Sequence, residues 1–404
     1  MINRPVYLNQ LTVFKDTELI KVITGIRRCG KSSLLALYSE YLKAQNIKEE
    51  NIIQINFEDL KYDNLTYKDL NDLAVEKLNN TEDKVYLLFD EIQKIEKWEL
   101  AINSIRLNKK ADIYITGSNA YLLSSQLATY LSGRYIEIKM QPLSFGEFLD
   151  FYKFDTNISK EEKFNTYLKF GGMPGLTIFN FNEQMINQTL EGIFATVLTK
   201  DIIDMAKIKD TALLKKIIKF LADNIGNNVS LNKIKNTLIS QNNISKSMRP
   251  EIIDNYILSL ENAFIFYGVN RYDIKGKEYL KTQGKYYIVD LGLRNHLLGF
   301  KNRDRGHILE NVVYMELLKR GYNVSIGKIQ DKEVDFIATK ADKKIYIQVT
   351  ESIMQENTRD RELQPLKRIN DNYEKILLTT DNLFTNTDDE GIKIINLIDW
   401  LLKI

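Results

Sequence analysis

The sequence is poor in the residues that build several common kinds of functional site. Its 404 residues include one cysteine, Cys29, and two histidines, His296 and His307. One cysteine excludes an intramolecular disulfide framework, and these three residues cannot supply a Cys/His zinc site. The same shortage argues against Ser-His-Asp and Cys-His hydrolase mechanisms.

Long apolar runs and a strong excess of one charge are also missing. Nowhere do eighteen apolar residues follow one another, so we expect no transmembrane helix, and residues 1–16 lack the features of a secretory signal. The net charge is only +2, so nucleic-acid binding would need a local basic patch. With 44% hydrophobic residues, the chain can form sizeable cores. We expect a cytoplasmic protein of roughly two to four domains.

The first third of the chain alternates short apolar runs with amphipathic stretches. Amphipathic patterns over Lys31–Gln45 and Leu70–Asn79 predict helices between the apolar runs. The predicted strands are Ile20–Thr24, Ile52–Phe57, Val85–Phe89, Ile113–Thr116 and Tyr135–Met140. Strands separated by helices predict a parallel α/β sheet with crossover connections.

Beyond about residue 155 the pattern changes twice. Helical patterns begin near Lys160 and are interrupted by a turn cluster at Gly171–Gly175. Two further predicted helices, Ala212–Asn224 and Pro250–Asn262, precede a stretch typical of a hairpin with a basic tip. Helices followed by such a hairpin suggest a winged helix. After about Leu291 the pattern becomes mixed helix and strand again.

The strongest motif is GIRRCGKS at residues 25–32, which matches the phosphate-binding pattern G-x-x-x-x-G-K-[ST] at every fixed position. Gly25 and Gly30 let the backbone turn so that its N–H groups point at phosphate oxygens, and the helix that follows adds partial positive charge. We expect Lys31 to neutralise β- and γ-phosphate charge, and Ser32 to bind Mg²⁺. The residues predicted to bind the nucleotide are Gly25, Ile26, Arg27, Arg28, Cys29, Gly30, Lys31, Ser32 and Ser33.

Three residues inside this loop allow a second interpretation. Arg27 and Arg28 could contact a partner, although solvated loop positions explain them more simply. Cys29 is interpreted as a small filler in preference to a redox switch.

A second motif, VYLLFDE at residues 85–91, is a hydrophobic strand that ends in two acids, as in Walker B motifs. We predict that Asp90 holds Mg²⁺ through water and that Glu91 is the general base for the attacking water. An acidic turn after an apolar strand is the alternative. The preceding phosphate-binding loop favours the Walker B interpretation.

Two further polar segments follow along the chain. Asn119, or Ser118, comes after a strand and could hydrogen-bond the γ-phosphate or the lytic water, as the sensor-1 residue of ATPases does; a helix N-cap is the alternative. Arg134, in the segment Ser132–Arg134, could stabilise transition-state charge in its own subunit or in a neighbour's. A surface arginine paired with an acid is the alternative there.

A guanine-specific site is not favoured. The segment Thr339–Asp342, TKAD, matches the guanine-reading pattern [NT]KxD, but it lies far from the loop and is better explained as a hairpin turn. ATP is therefore the predicted nucleotide.

Five segments together resemble a large prokaryotic group of AAA/STAND-like ATPases with a C-terminal domain of unknown function: RPVYLNQL, ITGIRRCGKSSLL, LLFDEIQKI, ITGSNAYLLS and LSGRYIEIKMQPLSFGEFL. The resemblance covers nearly the whole chain. It implies a P-loop ATPase domain over residues 1–155, a helical lid and winged-helix-like domain over 156–288, and an α/β domain resembling PD-(D/E)xK nucleases over 289–404.

The nuclease-like domain departs from the pattern that its chemistry needs. That chemistry uses a metal held by carboxylates, with a lysine near the attacking water. Glu310 and Asp335 fit the acidic positions, but Gln348 and Thr350 stand where a further acid and the lysine belong. Glutamine brings no charge to a metal and threonine carries no cation, so we expect this domain to be inactive as a nuclease.

Basic residues of the middle region are interleaved with Tyr272, Tyr279 and Tyr286, which would suit contacts to a DNA backbone. These basic residues are Lys233, Lys235, Lys246, Arg249, Arg271, Lys275, Lys277, Lys281 and Lys285. A solvated lysine-rich face, or a winged helix that binds protein, is the alternative.

The sequence thus predicts a Mg²⁺-dependent ATPase that uses hydrolysis as a conformational switch on DNA or a protein partner. We expect no membrane partner. The sequence is compatible with a homo-oligomer and does not fix the number of subunits. A signalling ATPase whose output is protein binding is the alternative function, and an active ATP-dependent nuclease is the third.

Overall fold

The computed structural model describes residues 3–120, 131, 133–240, 249–300, 304–383, 385 and 387–403, with the backbone alone at 280–283. Contacts between residues divide the chain into two compact units. The first unit comprises Met1–Pro142 with Asn262–Phe264. The second comprises Leu143–Glu261 with Ile265–Ile404.

The first unit contains a sheet of five parallel strands in the order β2-β3-β4-β1-β5. The strands are β1 Ile20–Thr24, β2 Ile52–Asn56, β3 Val85–Asp90, β4 Ala111–Gly117 and β5 Tyr135–Lys139. The helices are α1 Pro5–Val13, α2 Lys31–Ala44, α3 Tyr67–Asn79 and α4 Trp98–Ile105. The predicted parallel α/β sheet is confirmed, and β4 lies between the strand of the phosphate-binding loop and the strand that ends in two acids.

Burial explains why the central strands are so apolar. Strands β1, β3 and β4 are buried along their whole length, whereas the edge strands β2 and β5 are partly exposed. Helices α3 and α4 contribute buried side chains to the hydrophobic core of this unit: Leu70, Ala74, Leu78, Trp98, Ala101, Ile102 and Ile105. Because the strands are parallel, the polar residues that follow them lie together along the carboxyl ends of the strands, which we call the carboxyl edge of the sheet.

The second unit begins with helices and ends in a mixed sheet. Its helices are α5 Phe145–Phe151, α6 Lys160–Phe170, α7 Glu183–Thr196, α8 Thr211–Asp223, α9 Leu231–Ser240, α10 Pro250–Asn262, α11 Leu291–Leu298, α12 Arg305–Lys319, α13 Glu356–Lys367 and α14 Leu397–Leu402. Within the described part of the chain, none of the helices has the length and apolar character needed to span a membrane.

The sheet of the second unit has the order β12-β13-β11-β10-β9-β8-β6-β7. Its strands are β6 Phe266–Asp273, β7 Glu278–Ile288, β8 Asn323–Ile329, β9 Lys332–Lys340, β10 Lys343–Thr350, β11 Glu374–Thr379, β12 Thr387–Asp389 and β13 Ile392–Asn396. Strands β9 and β10 are antiparallel neighbours, so the segment Thr339–Asp342 lies at a hairpin turn.

The basic hairpin differs from a free-standing wing. Its strands β6 and β7 pair with each other, but β6 also pairs in parallel with β8 through Arg271–Asp273 and Ile326–Lys328. A two-stranded hairpin is at best marginally stable alone, and Phe266 and Val269 are buried here. Part of the region predicted as a middle domain therefore forms the edge of the C-terminal sheet.

Candidate functional site

The loop between β1 and α2 has backbone conformations that favour glycine at two points. Gly25 has φ +142°, and a Cβ there would lie 2.0 Å from the carbonyl oxygen of Met140. Gly30 has φ +105° and is the residue before α2. The loop can therefore turn tightly, and the first N–H groups of α2 remain available because no residue of the helix can accept from them.

The side chain of Lys31 lies within the curve of this loop. It is buried, and its ammonium donates hydrogen bonds to the carbonyl oxygens of Gly25 at 2.9 Å and Ile26 at 3.2 Å. The two residues that follow, Ser32 and Ser33, are exposed at the first turn of α2. The cation and the hydroxyls are thus placed at the start of the helix, where an anion would be favoured.

Arg4 supports the loop from the N-terminal end of the chain. It is buried, and its guanidinium donates to the carbonyl oxygens of Cys29 at 3.0 Å, Gln141 at 2.9 Å and Pro142 at 3.2 Å. Arg4 is not among the site residues predicted from the sequence, although it belongs to the segment RPVYLNQL that carries the family resemblance. The signal was therefore present but had no local pattern to interpret it.

The other loop side chains differ in their surroundings. The Cys29 thiol is fully buried 3.4 Å from the carbonyl oxygen of Met140, and burial raises the pKa of this thiol. Arg27 lies 3.5 Å from Glu58, and Arg28 is exposed. A buried, protonated thiol suits packing better than redox chemistry.

The acidic pair at the end of β3 lies close to Lys31. Asp90 and Glu91 are both buried, and Glu91 adopts a left-handed backbone conformation with φ 54°. Burial raises the pKa of Glu91, and the charges of Lys31 and Arg27 oppose that rise. The amide of Gln93 donates a hydrogen bond to the Glu91 carboxylate.

Thr116, on β4, joins the two acids to the neighbouring strand. Its hydroxyl donates to Oδ1 of Asp90 at 2.6 Å and accepts the backbone N–H of Glu91 at 2.9 Å. On its other side, the residue is the sheet partner of Ile23, which lies just before the phosphate-binding loop. The residues predicted from the sequence at the end of this strand were Ser118 and Asn119, and Thr116 was not among them.

Ser118 and Asn119 are buried immediately after β4. Since the carboxyl ends of parallel strands meet at one edge, both residues lie on the same edge as the loop and the acidic pair. The structure therefore brings together three of the four segments that the sequence selected.

Arg134 lies at the amino ends of the strands, opposite the carboxyl edge. Its carbonyl oxygen accepts the N–H of Ile20, the first residue of β1, and its exposed guanidinium lies 3.5 Å from Asn103. The length of β1 separates it from the loop by about 13 Å, at about 3.3 Å per residue. Arg134 is therefore not at the loop of its own subunit, and Ser132 lies outside the described residues.

The edge offers ligands that suit Mg²⁺. Ser32 supplies a hydroxyl and Asp90 a buried carboxylate, both hard oxygen donors. Across the described ranges, no three His, Cys, Asp or Glu side chains are grouped to hold a metal. The donors fit an ion that keeps several waters and binds one or two protein groups together with phosphate, which is the usual mode of Mg²⁺.

A second charged cluster lies in the other unit, on the wall of a cavity of about 590 Å³. At its centre is Lys285 of β7, whose ammonium lies 3.0 Å from Glu310, 2.8 Å from Glu333 and 3.7 Å from Asp335. Lys285 is buried, so its assignment to an exposed basic surface was wrong. A lysine from a strand far away in sequence from Thr350 therefore lies among these carboxylates.

The acids of this cluster respond differently to their surroundings. Burial and the neighbouring Glu310 raise the pKa of Asp335, while Lys285 and His307 lower the pKa of Glu310 against the effect of burial. Gln348 accepts the N–H of Asp335 at 3.3 Å and thus lies beside it.

Only some of the other basic residues predicted to form a DNA-binding surface are exposed. Lys235 and Arg271 are half-buried. Lys246 lies outside the described residues, as does the side chain of Lys281. The exposed basic residues of this set are Lys233, Arg249, Lys275 and Lys277.

Family models match the chain in succession: an AAA domain at residues 17–149, a domain of unknown function (DUF8612) at 161–304 and another (DUF4143) at 305–400. An uncharacterized protein of Haemophilus influenzae is 47% identical over 405 residues, which cover 100% of this chain and 99% of the relative. The chain belongs to this family of AAA-domain ATPases with a C-terminal DUF4143 domain. A second member, from Methanocaldococcus jannaschii, is 32% identical over 94% of this chain and 85% of its own.

Two solved structures show weak similarity to this chain. Aeropyrum pernix ORC1 bound to DNA has a TM-score of 0.30 and 12% identity, over 74% of this chain and 92% of its own. Aquifex aeolicus DnaA bound to AMPPCP has a TM-score of 0.30 and 16% identity, over 64% and 86%. Similarities this low carry no argument, and the AAA assignment rests on the family match, the strand order and the loop.

Proposed function

We propose that this AAA domain binds and hydrolyses ATP with Mg²⁺ at the carboxyl edge of its sheet, as a conformational switch. One observation carries the proposal. The phosphate-binding loop after β1 and the acidic pair after β3 flank the single strand β4, and the charge of Lys31 acts on Glu91. Loop, cation and base are thus arranged around one place for a triphosphate.

Each site residue has a proposed task. The loop amides and Lys31 would bind the β- and γ-phosphates, while Ser32 and Asp90 would hold the metal, Asp90 through water. Bound Mg²⁺ neutralises charge on the phosphate oxygens. Glu91 accepts a proton from the water that attacks the γ-phosphate in line, and its raised pKa makes it a stronger base than an exposed glutamate.

Three variants test this proposal. Lys31→Ala should abolish binding of MgATP in a calorimetric titration, because the phosphate charge loses its cation. Glu91→Gln should keep binding and lose turnover by about a hundredfold or more, as expected for a general base. Lys43→Ala, at a partly exposed position at the end of the same helix, is the matched control and should behave as wild type. Wild-type protein that neither binds nor hydrolyses MgATP would refute the proposal.

We propose DNA as the partner on which the switch acts. Lys275, Lys277 and Tyr279 are exposed at the tip of the β6–β7 hairpin and could contact a phosphate backbone. Duplex DNA should stimulate ATP turnover, and the stimulation should fall with added salt and in Lys275→Ala/Lys277→Ala. Turnover unaffected by DNA would favour the alternative, a signalling ATPase whose output is protein binding.

We propose that Arg134 acts on nucleotide bound by a neighbouring subunit, because it lies away from the loop of its own subunit. Neither Lys31→Ala nor Arg134→Ala protein would then turn over ATP alone, and a mixture of the two should regain part of the activity. A fully active Arg134→Ala variant would leave the arginine as a surface residue.

The third candidate function, cleavage of nucleic acid by the C-terminal unit, draws support from Lys285 alone, because the described residues group no three acids to hold a metal. Its ammonium lies among Glu310, Glu333 and Asp335, so a lysine is present where the sequence pattern lacked one. Cleavage with Mg²⁺ or Mn²⁺ that disappears in both Lys285→Met and Asp335→Ala would support this function. Absence of cleavage would support the inactive domain predicted from Gln348 and Thr350.

A further inference from the structure

The hydroxyl of Thr116 makes two hydrogen bonds that meet both members of the acidic pair. One holds the Asp90 carboxylate, with the hydroxyl donating at 2.6 Å, and the other accepts the N–H of Glu91 at 2.9 Å. Thr116 has no exposed surface, and Asp90 and Glu91 are buried. Water therefore cannot readily replace this hydroxyl. The position of the Thr116 hydroxyl determines how Asp90 and Glu91 are oriented.

The second bond acts on a strained part of the chain. Glu91 has φ 54° and ψ 47°, a left-handed conformation that a non-glycine residue adopts at a cost of about 1–3 kcal/mol. Such a conformation persists only where the surroundings impose it. The bond from the Glu91 N–H to Thr116 is one such restraint, and it sets the direction in which the chain, and with it the Glu91 side chain, leaves β3.

Thr116 also connects the acids to the phosphate-binding loop. Its backbone is in register with Ile23 of β1, and the next pair in register is Thr24 with Gly117, directly before Gly25. The side chain reaches β3 on one side, while the backbone is in register with β1 on the other. One residue thus fixes the spacing between the two halves of the site.

We propose that Thr116 is a positioning residue that orients Asp90 towards the metal and Glu91 towards the attacking water. The inference rests on the proposed ATPase function and deepens it. Thr116 need not touch the nucleotide, which distinguishes its role from that predicted for Ser118 or Asn119.

Paired substitutions separate the hydroxyl from the rest of the side chain. Thr116→Val keeps the shape and removes both hydrogen bonds, whereas Thr116→Ser keeps the hydroxyl. Thr116→Val should lower kcat by about a hundredfold, because misplacing a reacting group by about 1 Å costs that much. KM should change less than kcat, and Thr116→Ser should retain most of the turnover.

Calorimetric titration provides a measurement apart from turnover. Thr116→Val should bind ATP in the presence of EDTA as wild type does, and should lose most of the extra affinity that Mg²⁺ confers. A change confined to stability would instead alter the melting temperature alone. Thr379→Val is the matched control, since Thr379 is equally buried and its hydroxyl bonds the Glu351 carbonyl on the other sheet. It should change neither kcat nor the effect of Mg²⁺.

The outcomes are distinguishable. Suppose that the wild-type protein hydrolyses ATP and that Thr116→Val has the same kcat and the same Mg²⁺ dependence. That result would overturn the inference and leave the ATPase proposal intact. A Thr116→Ser variant as impaired as Thr116→Val would also overturn it, because the hydroxyl would then not be the cause. Wild-type protein without any binding of MgATP would overturn both proposals.

Discussion

The guanidinium of Arg4 lies 3.0 Å from the carbonyl oxygen of Cys29, inside the phosphate-binding loop. The same group donates to the carbonyl oxygens of Gln141 and Pro142, which follow β5. One side chain thus ties the loop to the chain that leaves the neighbouring strand. Because the three bonds use the planar fork of the guanidinium, a lysine could not replace all of them.

We expect Arg4→Ala to weaken MgATP binding about tenfold and to lower the free energy of unfolding by about 3 kcal/mol, because buried carbonyls lose charged donors. Calorimetric titration and urea denaturation measure the two effects. Arg4→Lys keeps the charge without the fork and should recover only a minor part of either. Equal affinity in wild type and Arg4→Ala would contradict a role in holding the loop.

Gly25→Ala should destroy the loop by steric conflict. The new methyl group would lie 2.0 Å from the backbone oxygen of Met140. The backbone φ of +142° at this position is also one that residues with a side chain rarely adopt. We expect no detectable MgATP binding. Gly146→Ala is the matched control: it places a methyl in open space on α5 and should leave binding unchanged. Normal binding by Gly25→Ala would show that the loop can shift, contrary to this prediction.

A buried ion pair between the neighbouring strands β1 and β4 should be strongly coupled. Lys21 and Asp112 both lack exposed surface, and their charged groups are hydrogen-bonded to each other. Removing one partner leaves an uncompensated buried charge, so Lys21→Met and Asp112→Asn should each cost about 3–5 kcal/mol in free energy of unfolding. In urea denaturation, the double variant should cost clearly less than the sum. Additive losses would mean that the pair is not coupled.

The stability of the second unit should depend on pH through Asp290. This carboxylate accepts the N–H groups of Gly172 at 2.6 Å and Leu293 at 3.0 Å, and burial raises its pKa to about 6. A pKa higher in the folded state means that folding favours the protonated acid. Its contribution is complete below about pH 4 and is lost as the pH rises through about 6.

Wild type should therefore lose about 3 kcal/mol of this contribution over that interval, relative to Asp290→Asn, which cannot titrate there. Chemical denaturation of both proteins at a series of pH values measures the difference. Parallel stability curves for the two proteins would contradict the prediction.

Strands and the loop were predictable because their signals are contiguous. The strand expected at Val85–Phe89 was found at Val85–Asp90, since a strand buried on both faces must be apolar throughout. The loop motif carries its own glycines and its lysine. Asp90 and Glu91 could be selected as candidates because they end a strand that was itself easy to predict.

The residues that escaped prediction act over long stretches of chain. Arg4 and Cys29 are 25 positions apart, and Thr116 and Asp90 are 26 apart. Lys285 was assigned to a basic surface because its neighbours in sequence are basic, yet the pairing of β6 with β8 brings it to the acids. Arg134 illustrates the reverse, since strand direction places it at the edge away from the loop.

Three features could be read from the amino-acid sequence alone: the P-loop motif at residues 25–32, its place between a buried strand and a helix, and the acidic pair that ends another strand. Each of these depends on a few consecutive residues whose backbone preferences and polarity act locally. Three relationships become visible in the folded chain alone: Thr116 bonds the acidic pair, Lys285 is buried among carboxylates, and Arg134 lies far from the loop. Those relationships depend on the order and register of strands, which packing of the whole sheet selects and no short segment encodes.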